Sequence, residues 1–520
     1  MRLPGACALE IIEEGEGMRH DGYIGLDVGT SGCKACAVDE KGNILACARS
    51  KYKLYCPEKG IVELDPLVVW ASVKAVLSQI AKADADLKMI AVSSIGEAIV
   101  MLDKKDNVIR NGITYLDERG MDTCNVIERK MSRKRMKEIT GLPMRFFYSL
   151  NRLMWLQKYE PENIERADKY FLFGDYITYM LSGERVIDVS SASKTYMLDV
   201  VKRTWSEEIG TSFDIPLSRF SRLENTGTKV GKIRRALAEE IGLPADLVVV
   251  VGSHDQCASA LGSGAVETGD IAAGEGSTES LNLIVDQKYI MDQFHVRNLC
   301  CEPYVQPGQF LIPVGQHTHG TSIRWFVERF GMEDGAGLLP GKDGSDSQNF
   351  YEMVEKNCTS GSDSLFFVPH LTSAHLMDPD NASLGAFIGL EMSTDKSKMY
   401  RAVLEGLCFE TRICFDMIRE LGFPVNKIVA SGGCSKSELL MQMKADVLET
   451  PVDILENPDA GISALAMICA VADGKYSSYK EASRYFVKTV KRYFPARNYQ
   501  EKYREYMLVY NTMKEMYSRI

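Results

Sequence analysis

A local pattern that occurs twice constrains this chain most. Tyr23-Ile-Gly-Leu-Asp27 reads as a strand, Gly29-Thr30-Ser31-Gly32 as a turn of glycines and hydroxyls, and Lys34 to Asp39 as the returning strand. Far downstream, Gly269-Asp-Ile-Ala-Ala273 leads into Gly276-Ser277-Thr278 and then the apolar run Leu281 to Val285. The two turns lie roughly half the chain apart, which predicts a duplicated α/β domain with two large halves.

The segments between fit that class. After the Lys41-Gly-Asn43 turn, Ile44 to Ala48 reads as a third strand. Asp65-Pro66 predicts a helix start, with Asp as N-cap and Pro at the first helical position. Val69, Val73, Val76 and Ile80 then keep helical spacing. Met89 to Ser93 predicts a buried strand, and Asn111 to about Gly242 a mostly helical stretch. Leu247 to Val251 predicts a strand running into Gly252-Ser-His-Asp255. Later come Leu365 to Val368, a helix from Met399 to Leu421, and Lys427 to Ser431 running into Gly432-Gly433. Ser435-x-x-Glu438 reads as a capping box for the next helix.

Composition narrows the function. The chain is 45% hydrophobic and 25% charged, with a net charge of −10, which is ordinary for a globular protein. The acidic balance gives no global basic footprint for nucleic acid. No apolar run is long enough for a membrane span, and Gly461 to Ala472 reads as a buried helix. The 14 cysteines are scattered, several in apolar runs such as those around Cys36 and Cys47, which predicts reduced thiols in a cytoplasmic protein. Cys33-x-x-Cys36, Cys300-Cys301 and His317-x-His319 each lack the second ligand pair of a zinc site, so no metal is assigned to them. Residues 1–20 are expected to be a disordered leader, with Met18 as the true start; a short disordered tail is the alternative.

The turns carry the chemistry. Glycines let backbone N–H groups approach a phosphate, and hydroxyls add donors. Asp27, at a strand end beside the first turn, is placed to hold Mg²⁺. Gly432-Gly433, between a strand and a helix, lets backbone lie flat against a ligand at a helix N-terminus. Neither a Walker A nor a G-x-G-x-x-G is present. In this order the features predict a nucleotide-phosphate site between two domains.

At these residues the sequence resembles the FGGY carbohydrate kinases, from about Tyr23 to Tyr510. Leu26-Asp-Val-Gly-Thr-Ser31 resembles the family's first phosphate loop, and Gly60-Ile-Val-Glu-Leu-Asp-Pro66 with Trp70 its G-x-V-E-x-D-P…W stretch. Phe147-x-Ser149-x-x-Arg152-Leu-x-Trp155-Leu resembles the first signature, with Arg152 for the usual Lys. Gly385-Ala-Phe-Ile-Gly-Leu390 with Ala402-Val-Leu-Glu405 resembles the second, with Lys398 at a position usually acidic, amide or His. Ser431-Gly-Gly-Cys-Ser-Lys-Ser437 resembles the adenosine loop.

The resemblance implies two duplicated ribonuclease H-like domains of the actin/hexokinase type around an interdomain cleft. The N-terminal domain would span 21–250 and the C-terminal domain 251–520. It implies Asp255 as catalytic base and Asp27 as Mg²⁺ ligand. ATP contacts would come from Gly29, Thr30, Ser31, Gly276, Ser277, Thr278, Gly320, Gly432 and Gly433, and from Arg324, which stands where some members have Gln. The acceptor would be a small sugar, ketose or polyol.

Ser94-Ile-Gly-Glu97 aligns with the family's substrate loop. It keeps the acid of glycerol kinases but lacks their Arg and the His of xylulose kinases. Glu97 is thus a candidate for binding sugar hydroxyls. Tyr115 replaces a usual Trp, Asp117 matches a family aspartate, and His254 and Gln256 flank the base. A homodimer is the one protein partner allowed for. Two other readings stay open: an actin-like ATPase scaffold, and a catalytically weak sugar sensor.

Overall fold

The computed structural model describes residues 8–11, 20–290, 299–330, 355–356, 358, 361–362, 364–372, 374, 378, 381–457 and 459–520. Fourteen strands form two large sheets. The first contains β1 (Ala8–Ile11), β2 (His20–Val28), β3 (Gly32–Asp39), β4 (Ile44–Lys51), β5 (Ala85–Ser94), β6 (Lys229–Lys232) and β7 (Val248–His254). The second contains β8 (Asp270–Glu275), β9 (Glu279–Asp286), β10 (Glu302–Pro303), β11 (Gln309–Val314), β12 (Lys427–Ser431), β13 (Val452–Leu455) and β14 (Thr489–Tyr493). Of the helices, those that bear on the site are α1 (Pro66–Ile80), α2 (Ser149–Tyr159), α3 (Val189–Ser193), α4 (Asp255–Gly262), α5 (Gly320–Phe330), α6 (Lys396–Glu420), α7 (Glu438–Leu448) and α8 (Ala460–Asp473).

The sheets repeat one topology. The strand orders are β1-β4-β3-β2-β5-β7-β6 and β10-β11-β9-β8-β12-β13-β14. In each, four antiparallel strands are followed by two strands parallel to the last of them and by an antiparallel edge strand. The duplication read from the glycine turns is present as matched sheets, each with helices against it. α8 joins the halves: a Cβ on Gly25 of β2 would stand 2.9 Å from the Ile462 carbonyl, so the helix lies directly on the first sheet. Tyr23 Oη donates to Asp473 at 3.0 Å, and Lys34 pairs with Asp459.

Four expectations need correction. The residues 8–11 expected in a disordered leader form β1, which pairs with β4; Met18 lies outside the described residues. The stretch after Asn111 is helical but also carries β6 and several two- to four-residue strands. The 250/251 boundary falls inside β7. Cys36 and Cys47 are joined in a disulfide, because the β3–β4 register sets them opposite each other. Alternation along β3 puts Cys33 and Cys36 on opposite faces, in different cores, so that C-x-x-C cannot close on one ion. No helix among the described residues is long and apolar enough to cross a membrane.

Candidate active site

In an open α/β sheet, ligands gather beyond the carboxyl ends of the parallel strands. Register brings three such ends together: Asp27 of β2 lies opposite Ser93 of β5, and His254 of β7 opposite Ser94. Asp27, the Gly96-Glu97 loop and Asp255 therefore share one edge.

Asp27 is half-buried and accepts a 2.6 Å hydrogen bond from Ser93 Oγ. Burial raises its pKa, the Ser93 bond opposes that, and the charge of Asp459 adds to the rise. Asp255 opens α4 with 37% of its side chain exposed. Burial raises its pKa to about 7, helped by the charges of Asp27 and Glu97 and opposed by Lys194. His254 Nε2 lies 3.2 Å from Asp255 Oδ1, while Nδ1 has no hydrogen-bond partner among the described residues. Burial and then the Lys194 ammonium hold the imidazole neutral. The charges of Asp255 and Asp459 each interact with Asp27, with Lys34 as a partial counter-charge, and a carboxylate in that setting suits a hard, oxygen-seeking cation.

Glu97 sits at the tip of a three-residue turn closed by Ala98 N–H to the Gly96 carbonyl at 2.7 Å. Its φ of 61° is one a non-glycine residue rarely adopts, so the loop is held under strain. Ser149 Oγ fastens it with a 2.6 Å bond to the Glu97 carbonyl. Burial raises the Glu97 pKa to about 7 against the pull of Lys194. A Cβ at Gly96 would stand 2.7 Å from Lys194 Cγ and 3.2 Å from His254 Nε2, so only glycine lets these groups converge. Lys194, at the end of α3, pairs with Glu302 of β10, an ion pair between the halves that the sequence did not reveal.

The first turn is braced from below. Gly29 N–H donates to the Gly32 carbonyl at 2.9 Å, and Tyr52 Oη lies 2.6 and 2.9 Å from the Gly29 and Gly32 carbonyls. Thr30 is half-exposed and Ser31 exposed.

The second sheet gathers the other turns the same way. Gly274 of β8 lies opposite Ser431 of β12, which sets the exposed Gly276-Ser277-Thr278 turn beside Gly432-Gly433. Gly320 N–H donates to the Gly276 carbonyl at 3.0 Å. A Cβ on Gly320 would stand 2.6 Å from that oxygen, and one on Gly432, whose φ is 111°, 2.6 Å from the Glu275 carbonyl. The close approach of three loops thus requires glycine at both positions. Arg324 lies one turn along α5, half-buried. The helix after Gly433 begins later than expected: Ser437, accepting from Leu440 N–H, is the N-cap of α7, and Ser435 bonds to the Gly432 carbonyl.

The remaining candidates divide. Gln256 is exposed beside the base and accepts from Asn282 at 3.3 Å; Tyr115 is 39% exposed. Asp117, expected to meet a sugar hydroxyl, is fully buried, and its carboxylate is taken by Arg119 and the Val62 N–H. That makes it a brace for its loop. Arg152, the departure from the first signature, donates to the carbonyls of Thr114, Asp117 and Arg119 and so supports the same loop.

Comparisons with known proteins agree with this fold. Residues 22–262 match the sequence model of the N-terminal domain of the FGGY family of carbohydrate kinases, and residues 278–472 that of its C-terminal domain. A gluconokinase of Bacillus subtilis is 26% identical over 501 residues, covering 95% of each chain. A xylulose kinase of Staphylococcus epidermidis is 24% identical, covering 94% of this chain and 96% of its own. The crystal structure of xylulose kinase from Rhodospirillum rubrum superposes with a TM-score of 0.86 at 24% identity, covering 96% of this chain and 100% of its own. The matched sheets, the shared strand-end edge and both family matches lead to one statement: this chain belongs to the FGGY family of carbohydrate kinases.

Proposed function

We propose that this carbohydrate kinase transfers the γ-phosphoryl group of ATP to a hydroxyl of an uncharged small sugar, ketose or polyol, with Asp255 as general base. The observation that carries the reading is the convergence of Asp255, Asp27 and Glu97 on one strand-end edge. An alcohol is a weak nucleophile, and a carboxylate with a pKa near 7 accepts its proton as the oxygen attacks. His254, held neutral, orients that carboxylate through Nε2.

Gly29, Thr30 and Ser31 on one side and Gly276, Ser277 and Thr278 on the other would supply backbone and hydroxyl donors to the phosphates. Gly320, Gly432, Gly433 and Arg324 would line the rest of the nucleotide site. Asp27, with Ser93 holding one oxygen, is the residue to hold Mg²⁺, which neutralises phosphate charge when bound. Glu97, Tyr115, His254 and Gln256 would face the acceptor. Lys194, the cation whose charge acts most on Glu97 and Asp255, is already matched by Glu302, so it offers no spare positive charge for a sugar acid. The first half would bind acceptor and supply one phosphate turn, and the second would supply the base and the rest of the nucleotide site. A coupled ADP-release screen across pentuloses, hexuloses, tetritols, pentitols, glycerol and aldonic acids tests this; turnover with an aldonic acid alone would contradict the neutral-acceptor reading.

A further inference from the structure

A buried charged cluster lies beneath the second glycine-hydroxyl turn. Glu275 ends β8 and Glu279 begins β9, so their carboxylates flank the Gly276–Thr278 turn. Lys444 Nζ, on α7, donates to Oε1 of both, and all three side chains are fully buried. α7 follows the Gly432-Gly433 turn. His319, the residue before Gly320, places Nε2 2.8 Å from Glu275 Oε2. Gln316 donates to Glu279 Oε2 at 2.8 Å, and Thr411 of α6 donates to the same oxygen at 2.8 Å. Glu275, Glu279 and His319 could by themselves surround a cation, and the Lys444 ammonium supplies that positive charge from within the chain.

Burying such charges is costly, and an apolar cluster of the same volume often stabilises a fold as well or better. What the ionic version adds is direction. The turn above it is an exposed hairpin tip, closed by one Gly276 N–H to Thr278 carbonyl bond of 3.1 Å. Every element proposed to touch nucleotide in this half is rooted in the cluster: the turn through both glutamates, the Gly320 segment through His319, and the Gly432-Gly433 loop through α7.

We propose that Lys444 is a positioning residue for the nucleotide, its ammonium fixing the phosphate-facing Gly276–Thr278 turn against the helix behind the adenosine-facing Gly432-Gly433 loop. The electrostatics agree: burial would raise the Glu275 pKa, and the Lys444 ammonium more than reverses this and holds it below the usual carboxylate range.

The inference rests on the nucleotide site proposed above, and the test separates the two. ATP affinity is measured by titration calorimetry, and KM for ATP and for acceptor by steady-state kinetics, in the full chain carrying Lys444→Met or Glu279→Gln. Lys444→Met is expected to weaken ATP binding and raise KM for ATP about tenfold, with KM for acceptor unchanged, because the lost contact positions one substrate only. Glu279→Gln, which keeps the Lys444–Glu275 pair, is expected to give a smaller rise in the same direction. A purely structural role would lower thermal stability while leaving both KM values as in wild type, and that result overturns the inference. Should Lys444→Met fail to fold, Glu279→Gln decides: ATP affinity equal to wild type overturns it. Wild type that binds no ATP overturns both readings, whereas wild type that binds ATP without phosphorylating any acceptor overturns only the kinase reading.

Discussion

His254 Nε2 lies 3.2 Å from Asp255 Oδ1, where β7 passes into α4. Burial keeps this imidazole neutral, so it stands beside the carboxylate without adding a positive charge that would depress its basicity. The proposed base thus keeps a pKa near 7.

The first prediction concerns the pH–rate profile. The reactive form of Asp255 is the carboxylate, so kcat/KM for acceptor rises about tenfold per pH unit below the base's pKa and levels off above about pH 7. A profile flat from about pH 5 to pH 8 would remove Asp255 from the base role.

Stability should move the opposite way with pH. The Asp255 pKa is raised in the folded state from its ordinary 3.8 to about 7, so the folded protein binds this proton more tightly than the unfolded chain does. Folding therefore loses stability as pH climbs from about 4 to about 7. Asp255→Asn removes the ionising group, so its Tm should exceed that of wild type at about pH 8, and the gain should vanish near pH 4. The 37% exposure of the side chain keeps the effect to a few degrees at most. Differential scanning calorimetry at the two pH values checks the sign.

Glu97→Gln preserves shape and removes the charge that would bind acceptor hydroxyls. Hydrogen bonds to a charged group are worth about 1.5–3 kcal/mol, so kcat/KM for acceptor should fall about 10- to 100-fold with KM for ATP unchanged. A loss confined to ATP would place Glu97 outside the acceptor site.

Gly320→Ala puts a methyl 2.6 Å from the Gly276 carbonyl and 2.7 Å from Cys434 Sγ. The backbone of the turn must shift, at about 1–3 kcal/mol in stability by the usual cost of overpacking, and KM for ATP should rise. Urea unfolding together with ATP kinetics measures both; a fully stable variant with wild-type KM would contradict the contact.

Much of the frame was legible because glycine turns and strand patterns are local. Asp27 could be picked out as an acid at a strand end and Gly432 as a glycine between a strand and a helix, while Asp255 and Gly320 were marked by the resemblance to the family. What was missed depends on register and tertiary pairing. Cys36 and Cys47 look like isolated core thiols until β3 and β4 align. Lys194 and Lys444 have no sequence mark, because a buried lysine is recognised only with its carboxylates, Glu302 in one case and Glu275 and Glu279 in the other. The bonds that Asp117 accepts from Arg119 and the distant Val62 N–H likewise form only in the folded chain.

The central claim is acceptor-dependent phosphoryl transfer with Asp255 as base, and the most direct test is ADP release with and without acceptor in wild type and Asp255→Asn. Wild type should release ADP only with an acceptor sugar or polyol. The variant should bind ATP normally yet turn over about 10²- to 10⁴-fold more slowly, the usual contribution of a positioned base. ADP release that needs no acceptor, or turnover in Asp255→Asn close to wild type, would contradict the account.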